Sequence, residues 1–181
     1  AQTGADTSQP VDLVYQFGST AGGARPKATV LYNEKTTDFM IQSKESIQKG
    51  FFPWLIKFDG FSGKTDTDKT PQPYERMEYI YSLMANDAGI EVPKTSYFEE
   101  NGGLFHFLVK RFDRDLEPEY NSPNIFKIKK YHLQTLSALL HNDHNNQRSL
   151  DYDIALRYCL AITCDQSQVV EAYRRRVFNV L

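Results

Sequence analysis

The chain has 181 residues, 40% hydrophobic and 24% charged, with 12 Phe, 11 Tyr and one Trp, enough apolar material for one aromatic-rich core and too little length for two full domains. Its net charge of −2 and pI of about 6.1 exclude a global basic field that would recruit nucleic acid or anionic membrane. No apolar run approaches the roughly twenty residues that span a bilayer, and the opening AQTGADTSQP has neither the basic nor the apolar part of a signal peptide.

Residues 1–10 are small and polar, end in Pro10, and are expected to form a mobile lead-in. From Val11 onward, VDLVYQF, ATVLY, DFMIQ and FPWLIKF alternate as half-buried strands do, and polar turns such as NEKTT join them, which predicts an antiparallel sheet. The stretch DGFSGKTDTDKTPQP lacks any apolar period and predicts an exposed loop. In YERMEYIYSLMANDAGI, Met77, Ile80, Tyr81, Met84, Ala85 and Ala88 recur at helical spacing, so a helix is expected to bury that stripe and to stop at Gly89.

VPKTSYFEENGGLFHFLVKRFDRD predicts a hairpin about its Asn-Gly-Gly turn. EPEYNSPN reads as a loop, and YHLQTLSALLH, DYDIALRYCLAIT and SQVVEAYRRRVFNVL are helical in pattern. Strands with one helix come first and helices last, so the expected class is α+β with segregated halves. Cys159 and Cys164 lie five residues apart in one helical segment, a spacing that does not favour a disulfide and suggests a reducing, cytoplasmic setting.

Three segments carry chemistry. GSTAGGARPKA, residues 18–28, places Gly18, Gly22 and Gly23 beside Ser19 and Thr20, with Arg25 and Lys27 following. Glycines let backbone amides approach an anion and basic side chains neutralise it, although a glycine-rich turn with a nearby base has the same composition. In FPWLIKFDG, alternation sets Trp54, Ile56 and Phe58 on one face and Leu55 and Lys57 on the other. Lys57 is then either a decoration of an edge strand or a grip for phosphate held by a helix carboxylate. Glu78 is the preferred partner, at the boundary of the Met77, Ile80 and Tyr81 stripe, with Glu75 one turn earlier as its rival. The third segment, VKRFDRD at residues 109–115, closes the hairpin with alternating charge.

In this order the three segments, with the helix string EYIYSLMANDAGI, resemble the HipA-like serine/threonine kinases, toxins of HipBA-type toxin–antitoxin systems. The resemblance runs over roughly residues 11–181. It implies a protein-kinase-like N-lobe and hinge over 11–112 and the start of a helical C-lobe over 113–181. It implies an ATP and Mg2+ site in which Gly22, Gly23, Ala24, Arg25, Pro26 and Lys27 form the phosphate loop. Lys57 and Glu78 would form the phosphate-gripping pair, and Lys110, Arg111 and Phe112 would line the adenine pocket. Thr20, with Ser19 as alternative, falls where relatives carry a self-phosphorylated serine.

A DNA-binding HipB-like antitoxin and a protein substrate such as an aminoacyl-tRNA synthetase are the implied partners, with no membrane and no direct nucleic-acid contact by this part. The family's N-x-D-x-H-x-x-N catalytic loop and metal-binding Asp follow sequences like RRRVFNVL, so both are expected beyond Leu181. No catalytic or metal residue is therefore assigned within the chain, which alone is expected to be inactive. The alternative is a non-catalytic interaction or phosphoacceptor module of a toxin–antitoxin complex.

Other clusters are assigned no function. His141, Asp143 and His144 lack further ligands at metal spacing, DTDKT lacks the Gly and Glu of a calcium loop, and the YRRR cluster at 173–176 reads as a solvated helix face.

Overall fold

The computed structural model describes residues 26–41, 46–60, 72–100, 103–120, 122–142 and 151–180. Their class is α+β, with eight strands and four helices among the described residues. The elements fall into two units, residues 1–82 with 93–131 and residues 83–92 with 132–181.

The first unit is built on β1 (Lys27–Asn33), β2 (Asp38–Ile41), β4 (Phe52–Lys57), β5 (Thr95–Glu99) and β6 (Phe105–Lys110). They form an antiparallel sheet in the order β2-β1-β4-β6-β5. Alternation sorts its residues by face. Ala28, Val30, Tyr32, Trp54, Ile56, Phe58 and Leu108 make one buried cluster, with Trp54, Val30 and Leu108 wholly enclosed. Tyr32 meets Trp54 edge-on and stacks on Phe39, so aromatic rings supply much of this core.

A second, three-stranded sheet has the order β3-β8-β7, from β3 (Ser46–Gln48), β7 (Arg114–Glu119) and β8 (Ser122–Lys130). Its Ile47 and Ile128 join Leu31 and Phe51 in a separate buried cluster. These strands correct the expectation that EPEYNSPN is a loop. Pro118 is tolerated in β7 because this strand is an edge and its pairing is irregular between Pro118 and Glu119. Leu116, Phe126 and Ile128 supply the inward positions.

Helix α1 (Tyr74–Asp87) lies on the sheet face opposite the Trp54 cluster. Tyr79 packs its ring on Tyr97 and Phe105, and Ser82 shares a hydrogen bond of 2.8 Å with Thr95. Of the apolar stripe expected to be buried, Ala85 is buried, but its large members point outward, with Met77, Ile80, Tyr81 and Met84 each 45–55% exposed. Periodicity identified the helix but not the face that packs. The sheet here presents Lys57, Thr95, Tyr97 and Phe105, and it is matched by the helix's Glu78, Tyr79 and Ser82. Gly89, at φ +70, takes the left-handed conformation after the helix that its position predicted.

The second unit contains α2 (Leu136–Leu139), α3 (Tyr152–Thr163) and α4 (Gln166–Val180). Only four residues of the expected helix over 131–141 are helical, opened by the Thr135 side chain, which accepts from Ala138 N–H. Asp151 caps α3 in the same manner, and Cys164, in the left-handed region, ends it. Both cysteines are free. The arginine cluster of α4 does more than face solvent: Arg174 donates to Ala88 O at 2.9 Å, Arg175 donates to Glu91 O, and Glu171 accepts from Glu91 N–H at 3.1 Å. They satisfy backbone groups left open just beyond α1.

Two substitutions separate the core from the misassigned stripe. Leu108→Ala is expected to lower unfolding free energy in urea by about 2–5 kcal/mol, as cavities in packed cores do. Met84→Gln is expected to change it by no more than about 0.5 kcal/mol; a large loss there would show that the stripe is packed.

Candidate functional site

The sheet face beneath α1 is organised by register. Lys27 lies directly across from Lys57, and Lys57 across from Phe107. One step along, Thr29, Leu55 and Val109 form the next row, all half-buried. Residues two apart in a strand share a face, so both rows look the same way.

Lys57 donates from Nζ to Glu78 Oε2, and its ammonium lies 5.8 Å from the centroid of Phe107. Of the two carboxylates weighed in the sequence, Glu78 is the one that meets the lysine, while Glu75 is buried one turn earlier. The Lys57 and Glu78 side chains keep 22% and 37% of their surface, so the pair is reachable from solvent. At that exposure it contributes on the order of 1 kcal/mol to stability. The Lys27–Lys57 juxtaposition is unfavourable unless anions lie nearby, since like charges directly across a sheet repel.

At the other end of this face, Arg111 N–H donates to Pro53 O at 3.0 Å. The Arg111 guanidinium grips Asp113 by two bonds, Nε to Oδ1 at 2.9 Å and Nη2 to Oδ2 at 2.6 Å, and reaches Thr29 Oγ1 from Nη1 at 3.3 Å. Arg114 Nη1 donates to the same Asp113 at 2.6 Å. Hydrogen bonding from Arg111 holds the buried Asp113 carboxyl below its usual range. Phe112, between these residues, is 68% exposed. Lys110 turns to the opposite face, with its ammonium 4.2 Å from the Phe52 centroid, so only its backbone belongs to this side.

The strand carrying Lys57 is braced where it ends. Asp59 accepts from Gly60 N–H and Phe105 N–H, at 2.8 and 2.9 Å, and donates its own N–H to His106 Nδ1 at 3.1 Å. His106 is buried, and its Nε2 faces Glu100 Oε1 at 3.5 Å. Burial pushes His106 below the ordinary histidine value, against the opposing pull of Glu100 and Asp59.

The structure thus brings Lys27, Lys57 and Glu78 together and places Arg111 and Phe112 further along the same sheet. Pro26 accepts from Phe58 N–H at 3.2 Å beside the Lys57 end of the strand. Ser19, Thr20, Gly22, Gly23, Ala24 and Arg25 lie outside the described residues, as do Asp143 and His144. Sequence reading assigned no role to Thr29, Asp113 or His106. Asp113 lies inside VKRFDRD, and the i, i+2 relation to Lys27 is the available signal for Thr29. No group of three or more potential metal-ligating side chains occurs among the described residues, and none of their helices is long and apolar enough to cross a membrane.

Fold and site together describe an α+β protein with a cationic, helix-flanked sheet face. The family model described as HipA-like C-terminal domain matches residues 19–181, and the chain belongs to that family. No curated protein and no solved structure matches the chain.

The His106 brace has a pH signature. Its pKa is lower in the folded chain than the ordinary 6.5, so the unfolded chain takes up the proton first as pH falls. The contribution is present in full above that value and is lost as pH drops through the interval down to the folded pKa. Unfolding free energy measured between about pH 7 and pH 5 is therefore expected to decline, and to decline less in His106→Gln. Equal slopes would remove His106 as the cause.

Proposed function

We propose that the chain forms the nucleotide-binding part of a HipA-like, ATP-dependent serine/threonine protein kinase. The observation that carries this reading is the Lys57–Glu78 ion pair between an interior strand and the helix that follows it. Kinases use a strand lysine held by a helix glutamate to grip nucleotide phosphates. The order β1-β4-β6-β5, with α1 between β4 and β5 in sequence, suits a kinase N-lobe.

The residues present fit such a ligand. Lys27 and Lys57 face each other with Glu78 supplying one negative charge, and a phosphate group between them would relieve their repulsion. From Lys57 to Pro53 the strand runs about 13 Å, a length suited to phosphates at the lysine end and the base at Arg111 and Phe112. Half-buried Leu55 and Val109 supply an apolar floor between them. ATP with Mg2+ supplies the phosphoryl group; the chain's part is to orient it. Glu78 fixes the Lys57 amine, Lys57 and Lys27 neutralise phosphate charge, and residues 22–27 belong to the phosphate loop that this reading assigns.

The general base and metal carboxylate are not assigned to residues of this chain, which contains no N-x-D-x-H-x-x-N string. On this reading Thr20, with Ser19 second, is the self-phosphorylation site, and a phosphate there would compete with ATP for Arg25 and Lys27. A HipB-like antitoxin, a cytoplasmic setting and a protein substrate of the aminoacyl-tRNA synthetase type complete the proposal. The second reading, a non-catalytic interaction module, draws on the exposed Met77, Ile80, Tyr81 and Met84 stripe.

Titration of the chain with Mg·ATP separates the two readings. Lys57→Ala is expected to weaken binding by at least about tenfold, a loss of about 1.4 kcal/mol. In a form carrying the catalytic loop, the same change should reduce phosphotransfer by about two or more powers of ten. Wild-type chain that fails to bind Mg·ATP, or a Lys57→Ala variant that binds as well, would favour the interaction module.

A further inference from the structure

We propose that the Arg111–Asp113–Thr29 bracket sets the base selectivity of this nucleotide site, with Arg111 acting as a positioning residue and not as a direct contact to the base. The inference rests on the nucleotide reading above and adds to it the part that discriminates one nucleobase from another.

Arg111 has donors enough to bind a ligand, but the structure commits three of its nitrogens internally. Nε and Nη2 are spent on the two oxygens of Asp113, and Nη1 reaches Thr29 Oγ1 on β1. The fork-to-fork pairing with Asp113 fixes the guanidinium plane as well as its position. Asp113 is tied in turn: Arg114 Nη1 donates to its carboxylate and, at 2.8 Å, to its backbone oxygen, which also accepts from Tyr131 N–H at 3.0 Å.

The backbone on either side of Phe112 is therefore held at both ends. Arg111 N–H is bound to Pro53 O, and Lys110 N–H is bound to Lys94 O at 2.8 Å. What remains is a short segment whose side chain, Phe112, stands exposed while its neighbours are locked. A preorganised backbone can distinguish nucleobases by the pattern of donors and acceptors on their edges, because a mismatched base leaves polar groups unpaired. A segment free to flex would adjust to either pattern and lose that discrimination. Thr29 makes the bracket specific to this face, since it lies in the row next to Lys27 and Lys57.

The test uses the 181-residue chain and its single tryptophan, Trp54, which is buried and pairs in register with Lys110. Its emission reports folding, while calorimetric titration with ATP, GTP and inorganic tripolyphosphate, each with Mg2+, reports binding. Wild type is expected to prefer ATP to GTP. Arg111→Ala should lose that preference by at least about fivefold while its tripolyphosphate affinity changes by less than about twofold. Arg111→Lys should behave as Arg111→Ala, because an ammonium cannot reproduce the planar fork. Thr29→Val removes one contact without disturbing Asp113, and it should shift the preference in the same direction by a smaller factor if the arginine variants do not fold. A folded Arg111→Ala or Thr29→Val chain with wild-type preference would overturn the bracket and leave the nucleotide site standing. Wild type that binds no nucleotide would overturn both, and wild type that binds ATP and GTP equally would overturn the selectivity alone.

Discussion

The ion pair between Lys57 and Glu78 joins the two elements on which the rest of the site depends. A lysine on a sheet face beside Phe107 and opposite Lys27 is poorly placed without a counter-charge. Glu78 provides that charge from the side of α1 that meets the sheet. Tyr79 and Ser82 fall on Tyr97, Phe105 and Thr95, and Met77, Ile80, Tyr81 and Met84 are turned outward. The ion pair, the Tyr79 ring contacts and the Ser82–Thr95 hydrogen bond lie on one side of α1 and together hold it in this orientation.

A second charged cluster does comparable work at the other end of the face. Asp113 sits between two guanidinium groups, and the three residues fasten the end of β6 to β1 and to the start of the second sheet. The two clusters differ in exposure. Lys57 and Glu78 retain solvent access, which suits groups that must meet a ligand, whereas Asp113 is buried and saturated with donors, which suits a fixed support. Between them lie the half-buried Thr29, Leu55 and Val109.

Much of this was legible in the sequence because strand alternation and hairpin signals are short-range. FPWLIKF predicted the burial of Trp54, Ile56 and Phe58 and the opposite direction of Lys57, and the Asn-Gly-Gly turn predicted the pairing of β5 with β6. The orientation of α1 was not legible, since its apolar period is satisfied by either of two adjacent faces and the choice is made by residues on distant strands. The β7–β8 hairpin was hidden by Pro118, Asn121 and Pro123, residues that usually mark loops. It forms because Pro118 lies on an edge strand and the pairing is irregular between Pro118 and Glu119. The Arg111 grip on Asp113 was half legible: the motif was recognised, but the contact with Thr29 spans 82 residues and follows only from the register of β1.

The central claim is that one face of the sheet, from Lys57 to Phe112, is a nucleotide site. It is tested most directly by nitrogen-15 NMR of the 181-residue chain titrated with Mg·ATP. The account predicts that the amides of Lys27, Lys57, Arg111 and Phe112 shift together with one dissociation constant, while those of α3 and α4 stay in place. Shifts confined to α3 and α4, or no saturable change at Lys57 and Phe112, would contradict it.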